Sequence, residues 1–208
     1  MASPVHMGSP AADVTFAILA GGQARRLSGI PKGLLLRDGR TVLSHLLALA
    51  PHFQETFLVT SDANAYRDFG VRSVADVVPG RGAPGGVHAA LVHAHTPWVL
   101  TVAADMPFVT AAVVATLLAE RDEAVDAVGF EVDGRLEPLL ALYRSTLATA
   151  WEGALAAGPS FQALWKRTRA RILPQEVLAR VDAGCRAVRS VNTPEDAEAL
   201  GIGLPATR

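Results

Sequence analysis

The segment at residues 19–32, LAGGQARRLSGIPK, gathers the residue types that handle a polyanion. Leu19 and Ala20 end an apolar run, Gly21 and Gly22 follow at once, and Arg25, Arg26 and Lys32 come next. Glycine lets backbone N–H groups approach phosphate oxygens closely, arginine offers a planar fork of donors, and lysine offers a compact charge. The glycine spacing matches neither the dinucleotide fingerprint nor the Walker loop. The reading therefore rests on the whole set, in which a paired-glycine turn and three cations suit a nucleoside triphosphate. Asp105 follows the apolar run at residues 99–103, and Asp76 follows the run at residues 71–75. A carboxylate in such a place can hold Mg²⁺ by one oxygen while phosphates and water complete the octahedron. Asp105-Met106-Pro107 is also ordinary turn chemistry, and Asp76 could be a plain loop residue.

Other chemistries find less support. Cys185 is the only cysteine, so an internal disulfide and a multi-cysteine zinc site are excluded. The six histidines show no metal-ligand spacing. His88, His93 and His95 read as residues of a helix at 86–95, and Trp151, Phe161 and Trp165 as core. Nineteen basic residues against twenty acidic ones leave a net charge of −1, which gives no general footprint for nucleic acid or an anionic membrane. The apolar stretches are interrupted well short of a membrane span, and the N-terminal residues lack a basic start followed by an apolar run. A cytoplasmic protein is expected. Residues 1–12, rich in small residues and proline, read as a mobile extension, with residues 13–208 as one domain.

The elements that must position these residues alternate. Residues 14–20 (VTFAILA) read as a central strand covered on both faces. Further strands are predicted at 57–60, 71–75, 99–103, 126–130 and 187–191, with another apolar segment at 139–143. Helices are predicted at 41–50, 63–69, 86–95, 111–120, 145–157 and from Thr193 through Leu200, where Thr-Pro-Glu-Asp has the form of an N-cap with proline at the first helical position. Strand-then-helix order implies a mostly parallel sheet between two helical layers. Ligands of such sheets bind beyond the carboxyl ends of the strands, where Gly21, Gly22, Asp76 and Asp105 should share one crevice.

These motifs resemble those of the molybdenum cofactor guanylyltransferases, MobA-like NTP transferases, and their cytidylyltransferase relatives. The residues that carry the likeness are residues 19–32, Asp76 with residues 82–86 (GAPGG), residues 103–108 (AADMPF) and residues 191–196 (VNTPED). The resemblance implies a Rossmann-like nucleotidyltransferase, an α/β three-layer fold with a mostly parallel central sheet. It implies that Arg26, Lys32 and Asp105 are catalytic, with Asp105 on Mg²⁺. Leu19, Ala20, Gly21, Gly22, Lys32, Asp62, Asp76 and Asp105 would bind nucleotide, and Asn192 would lie near the metal or the acceptor. Arg135, Glu137 and Pro138 fall where the family lines its acceptor pocket, although a turn between strands accounts for them equally. The implied reaction transfers GMP from GTP to the terminal phosphate of molybdopterin bearing molybdenum. It implies transient contact with molybdoenzymes or cofactor-biosynthesis proteins, and no nucleic-acid or membrane partner. A cytidylyltransferase, another small-molecule nucleotidyltransferase and a catalytically silent module that presents the cofactor remain open. The chain departs from its apparent relatives at Leu27-Ser28, where they carry Met-Gly, and at Asp62, where many carry asparagine.

Overall fold

The computed structural model describes residues 11–21, 29–158 and 160–205. The chain enters at β1 (Ala11–Leu19), then forms a one-turn 3-10 helix at Lys32–Leu34 and a small hairpin of β2 (Leu36–Arg37) and β3 (Arg40–Thr41). Next come α1 (Val42–Leu47), β4 (Phe53–Val59), a 3-10 stretch at Ala63–Phe69, β5 (Arg72–Val74), α2 (Gly82–His93), β6 (Trp98–Ala103) and α3 (Ala111–Ala119). The second half holds β7 (Ala127–Val132), β8 (Arg135–Arg144), α4 (Leu147–Ala156), α5 (Phe161–Trp165), β9 (Ala170–Pro174), α6 (Gln175–Ala179) and α7 (Pro194–Leu200).

Seven strands form one sheet in the order β5-β4-β1-β6-β8-β7-β9. β5, β4, β1 and β6 pair in parallel, and β7 pairs in parallel with β9. β8 alone runs against both of its neighbours, β6 and β7. Two apolar cores explain the layering. Val14, Phe16 and Ile18 of β1 pack with residues of α1, α3, α6 and α7 on one face. Ala17 turns the other way with Phe57 and Val59, against α2, α4 and α5. The period of two in a strand assigns alternate side chains to opposite cores, so a central strand must be apolar throughout. The mostly parallel, three-layer α/β fold expected from the sequence is the fold observed.

Helix starts follow their side chains. Thr41 and Thr110 accept hydrogen bonds from Ser44 N and Val113 N at 3.1 and 3.4 Å. Thr193 and Asp196 form a reciprocal capping box, with Pro194 in the first turn of α7. Several boundaries differ from expectation. β1 begins at Ala11, so Ala11 and Ala12 belong to the strand. The helix expected at 41–50 stops at Leu47 and gives way to a 3-10 turn at Ala50–His52. α2 starts at Gly82, which puts GAPGG inside its opening turns, and ends at His93, which leaves His95 outside it. Pro84 is tolerated there because first-turn N–H groups have no helical acceptor. The strand expected at 187–191 is instead a 3-10 turn, Arg186–Val188, followed by an extended strap. β9 was not anticipated. The chain's last described segment returns to the hairpin, where Leu36 N donates to Gly203 O at 2.8 Å and Gly203 N to Leu36 O at 2.7 Å. No helix among the described residues is long and apolar enough to cross a membrane.

Candidate active site

A cavity of about 640 Å³ opens at the carboxyl ends of β1, β4 and β6. Its walls include Leu19, Ala20, Gly21, Lys32, Asp62, Asp76, Asp105 and Asn192, so these sequence-predicted residues converge. Gly22, Arg25, Arg26 and the Leu27-Ser28 departure lie outside the described residues. Backbone pairing continues past the strand ends and fixes the cavity floor: Ala104 N donates to Leu19 O, Ala20 N to Val59 O, and Thr60 N to Val74 O, each at 2.9 Å.

Lys32 stands at the centre. Its ammonium donates to Asp105 Oδ2 and to Asn192 Oδ1, both at 2.6 Å. Asn192 in turn donates from Nδ2 to Ser190 Oγ at 2.9 Å. The strap carrying Ser190 and Asn192 is held at two points. Val191 N donates to Asp105 O at 3.0 Å, and Asp196 Oδ2 accepts from the backbone N–H groups of Asn192 and Thr193 at 2.9 and 3.0 Å. The α7 cap therefore also fixes the site. Gly33 explains how Lys32 reaches inward. It is buried, and a Cβ there would stand 3.1 Å from Tyr66 Cε1 and 3.5 Å from Ala104 Cβ. Tyr66 thus backs the lysine turn, a role no local sequence signal announces. Burial pushes its hydroxyl up to about 12, and the charges of Asp62 and Asp105 act in the same sense.

Asp105 is divided between two tasks. Oδ2 is neutralised by Lys32, whereas Oδ1 is buried and has no hydrogen-bond partner among the described residues. One shielded, unpartnered carboxylate oxygen fits a hard divalent cation. Among the described residues no group of three or more His, Cys, Asp or Glu could hold a metal. Among the described residues, such a cation would be held by this one carboxylate and not by a cluster of protein ligands.

Asp62 and Asp76 flank the opposite end. Asp62 Oδ1 accepts from Ala65 N at 3.2 Å and so caps the 3-10 stretch Ala63–Phe69, which ties up one of its oxygens. Asp76 is exposed as a residue, yet its carboxyl lies against the first turns of α2, and burial of that carboxyl raises its pKa. Its oxygens are 3.9 and 4.0 Å from where Cβ atoms on Gly85 and Gly86 would stand. Trp151 and Trp165 are core residues, 2% and 4% exposed, as expected. His88 is buried within α2.

Glu137 completes the cavity wall at the start of β8. Burial first, then the charge of Asp105, pushes its carboxyl up to about 7, against a hydrogen bond from Leu139 N that lowers it. A carboxyl whose folded pKa exceeds its unfolded one favours the fold while protonated, and that contribution is lost as pH rises through the folded value. E137Q is therefore expected to match the wild type near pH 4 and to exceed its stability at about pH 8 by on the order of 1–3 kcal/mol. Urea unfolding at both pH values checks this, and an equal change at both would remove the burial argument.

A glycine-ended central strand, a lysine and a strand-end aspartate meeting in one crevice of a three-layer sheet are the marks of a nucleotidyltransferase. Residues 16–192 match the family model of the MobA-like NTP transferase domain, and the chain belongs to that family. It is 33% identical over 98% of its length, and 99% of the relative's, to a protein of Chloroflexus aggregans named "Probable molybdenum cofactor guanylyltransferase". Identity is 36% with the molybdenum cofactor guanylyltransferase of Burkholderia ambifaria, over 76% of this chain and 83% of that one. Among solved structures, the molybdopterin-guanine dinucleotide biosynthesis protein A of Archaeoglobus fulgidus superposes with a TM-score of 0.76 at 29% identity, covering 89% of this chain and 95% of its own.

Proposed function

We propose that this protein transfers GMP from GTP to the terminal phosphate of molybdopterin bearing molybdenum and releases pyrophosphate. The observation that carries the reading is the convergence of Lys32, Asp105 and Asn192 in the cavity wall, with one Asp105 oxygen buried and without a hydrogen-bond partner among the described residues. The names of the relatives in Chloroflexus, Burkholderia and Archaeoglobus support the choice of guanylyl group and acceptor.

In this reaction an acceptor phosphate oxygen forms a bond to the α-phosphorus of GTP as the α–β bridging bond breaks, and pyrophosphate carries away the electron pair. The acceptor is already an anion at neutral pH, so no general base is needed. The difficulty is to bring one anion to another, and fixed cations with in-line positioning address it. Asp105 would hold Mg²⁺, which supplies neutralisation of charge on the phosphate oxygens when bound. Lys32 lies where it can hold phosphate beside that aspartate. Gly21 and Ala20 present the backbone at the end of β1, and Asp62 and Asp76 lie at the β4 and β5 end for the nucleoside. Arg26 is assigned to the charge of the transition state on its place in the loop sequence.

Pyrophosphate release with molybdopterin and each of GTP and CTP tests the reaction. Release from GTP is expected. Release from CTP alone would make the protein a cytidylyltransferase, and GTP binding without release would make it a cofactor-presenting module. R26A is expected to lower GTP turnover by about a hundredfold, the usual effect of removing one preorganised donor. Turnover within twofold of wild type would withdraw Arg26 from the chemistry.

A further inference from the structure

β8 reaches the crevice in an unusual way. It runs against its neighbours, so its beginning, and not its end, lies beside the carboxyl end of β6. Its pairing with β7 slips there: Gly129 faces Ala141, yet the next residue, Phe130, faces Glu137. Residues 138–140 thus have no partner on β7, which makes a bulge of three residues. Bulges beside binding sites re-aim side chains.

This bulge is anchored in the core behind it. The hydroxyl of the fully buried Tyr143 donates to Pro138 O at 2.7 Å and accepts from Trp165 Nε1 at 3.2 Å. Trp165 can sit so close only because residue 129 is glycine, since a Cβ there would stand 2.7 Å from Trp165 Cη2. Gly129, Trp165 and Tyr143 therefore hold Pro138 in place and with it the presentation of Glu137.

Glu137 makes a poor phosphate ligand. It shares the cavity with Asp105, and no lysine, arginine or histidine among the described residues forms an ion pair with it. A half-buried carboxylate of this kind is costly unless a ligand supplies donors. Oε1 accepts from Leu139 N at 3.3 Å, and the carboxyl lines the cavity. Neutral, adjacent N–H groups in one plane would satisfy it through two parallel bonds, the geometry carboxylates also use with guanidinium. An aminopyrimidinone ring has that edge, a ring N–H beside an exocyclic amine. The pterin of the proposed acceptor and the guanine of GTP both carry it. Sheet order separates them. β8 lies beyond β6, on the far side of Asp105 from β4 and β5, where Asp62 and Asp76 stand. With the triphosphate at Lys32 and Asp105, one end of the cavity is left for each ring.

We propose that Glu137, presented by the bulge that Tyr143 anchors, reads the aminopyrimidinone edge of the pterin acceptor and so determines acceptor specificity. The inference rests on the proposed reaction for the acceptor's identity. The binding half of the test needs no turnover. Free pterin and lumazine, its 2,4-dioxo analogue, are titrated by fluorescence into wild-type protein and into E137A, each with GTP and Mg²⁺. Wild type is expected to prefer pterin by on the order of tenfold or more, because lumazine lacks the amine donor, and E137A is expected to lose that preference. In turnover, E137A should raise the acceptor KM by about tenfold with the GTP KM within twofold, and Y143F should shift the same constant in the same direction by less. Retained preference in E137A, or a raised GTP KM with the acceptor KM unchanged, overturns the proposal. Absence of transfer by wild type with the pterin preference intact would overturn the reaction and leave the role of Glu137 standing.

Discussion

Replacing Asp105 by alanine is expected to cut pyrophosphate release by about a hundredfold or more while the protein stays folded. The substitution removes both carboxylate oxygens at once: Oδ2, which holds the Lys32 ammonium, and Oδ1, which is buried and without a hydrogen-bond partner among the described residues. The fold has little stake in the side chain. The bond from Val191 N is made to the Asp105 backbone oxygen and survives the change. Lys32 keeps Asn192 Oδ1 at 2.6 Å. D105N separates shape from charge, because the amide fills the same volume without the charge a divalent cation needs, and it should be nearly as impaired. Steady-state rates at saturating GTP and acceptor, with thermal unfolding alongside, check both variants. Turnover within twofold of wild type would take Asp105 out of the chemistry.

Lys32→Ala is expected to have the second large effect, again about a hundredfold in turnover. Its ammonium lies between two oxygens contributed by distant parts of the chain, at a point a phosphate would share. Without it, Asp105 is left partly buried and uncompensated, which should lower stability by on the order of 1 kcal/mol. K32R tests the geometry, since Gly33 is packed beneath Tyr66 and Ala104 and fixes where the side chain starts. A longer, planar head from that origin cannot place a compact charge between Asp105 Oδ2 and Asn192 Oδ1, so arginine should recover only part of the rate. Full recovery would show that any cation at this position suffices.

Much of the centre could be read from the sequence because its signals are local. The apolar run at residues 14–20 ends on glycine, and the aspartates and Asn192 sit directly beside recognisable elements. What escaped reading depended on partners far along the chain. The apolar segment at 139–143 looks the same whichever way its strand runs, so the reversal of β8 left no trace. β9 is an edge strand in which Leu173 is buried while Ile172 is 47% exposed, too short a pattern to stand out. Residues 187–191 have a strand's composition, but the Val191 N–H goes to Asp105 O and not to a ladder, so the segment braces the site instead of extending the sheet. Tyr66 could not be singled out because its function arises only where Gly33 and Ala104 meet it. Glu137 resembled a turn residue until the slipped pairing with Phe130 showed where it is presented.

The hydrogen bond between Lys32 and Asn192 joins residues 160 positions apart, and the bridge between Leu36 and Gly203 closes the same circuit nearby. During synthesis the glycine loop, the lysine and the aspartate all leave the ribosome well before the asparagine does. A nascent chain that stops short of Asn192 lacks the assembled centre, and contacts of such long sequence separation are among the slower ones to form. Assembly of the centre thus waits for synthesis of the strap, and cleavage anywhere between Val188 and Asn192 would disarm a molecule whose sheet was otherwise whole.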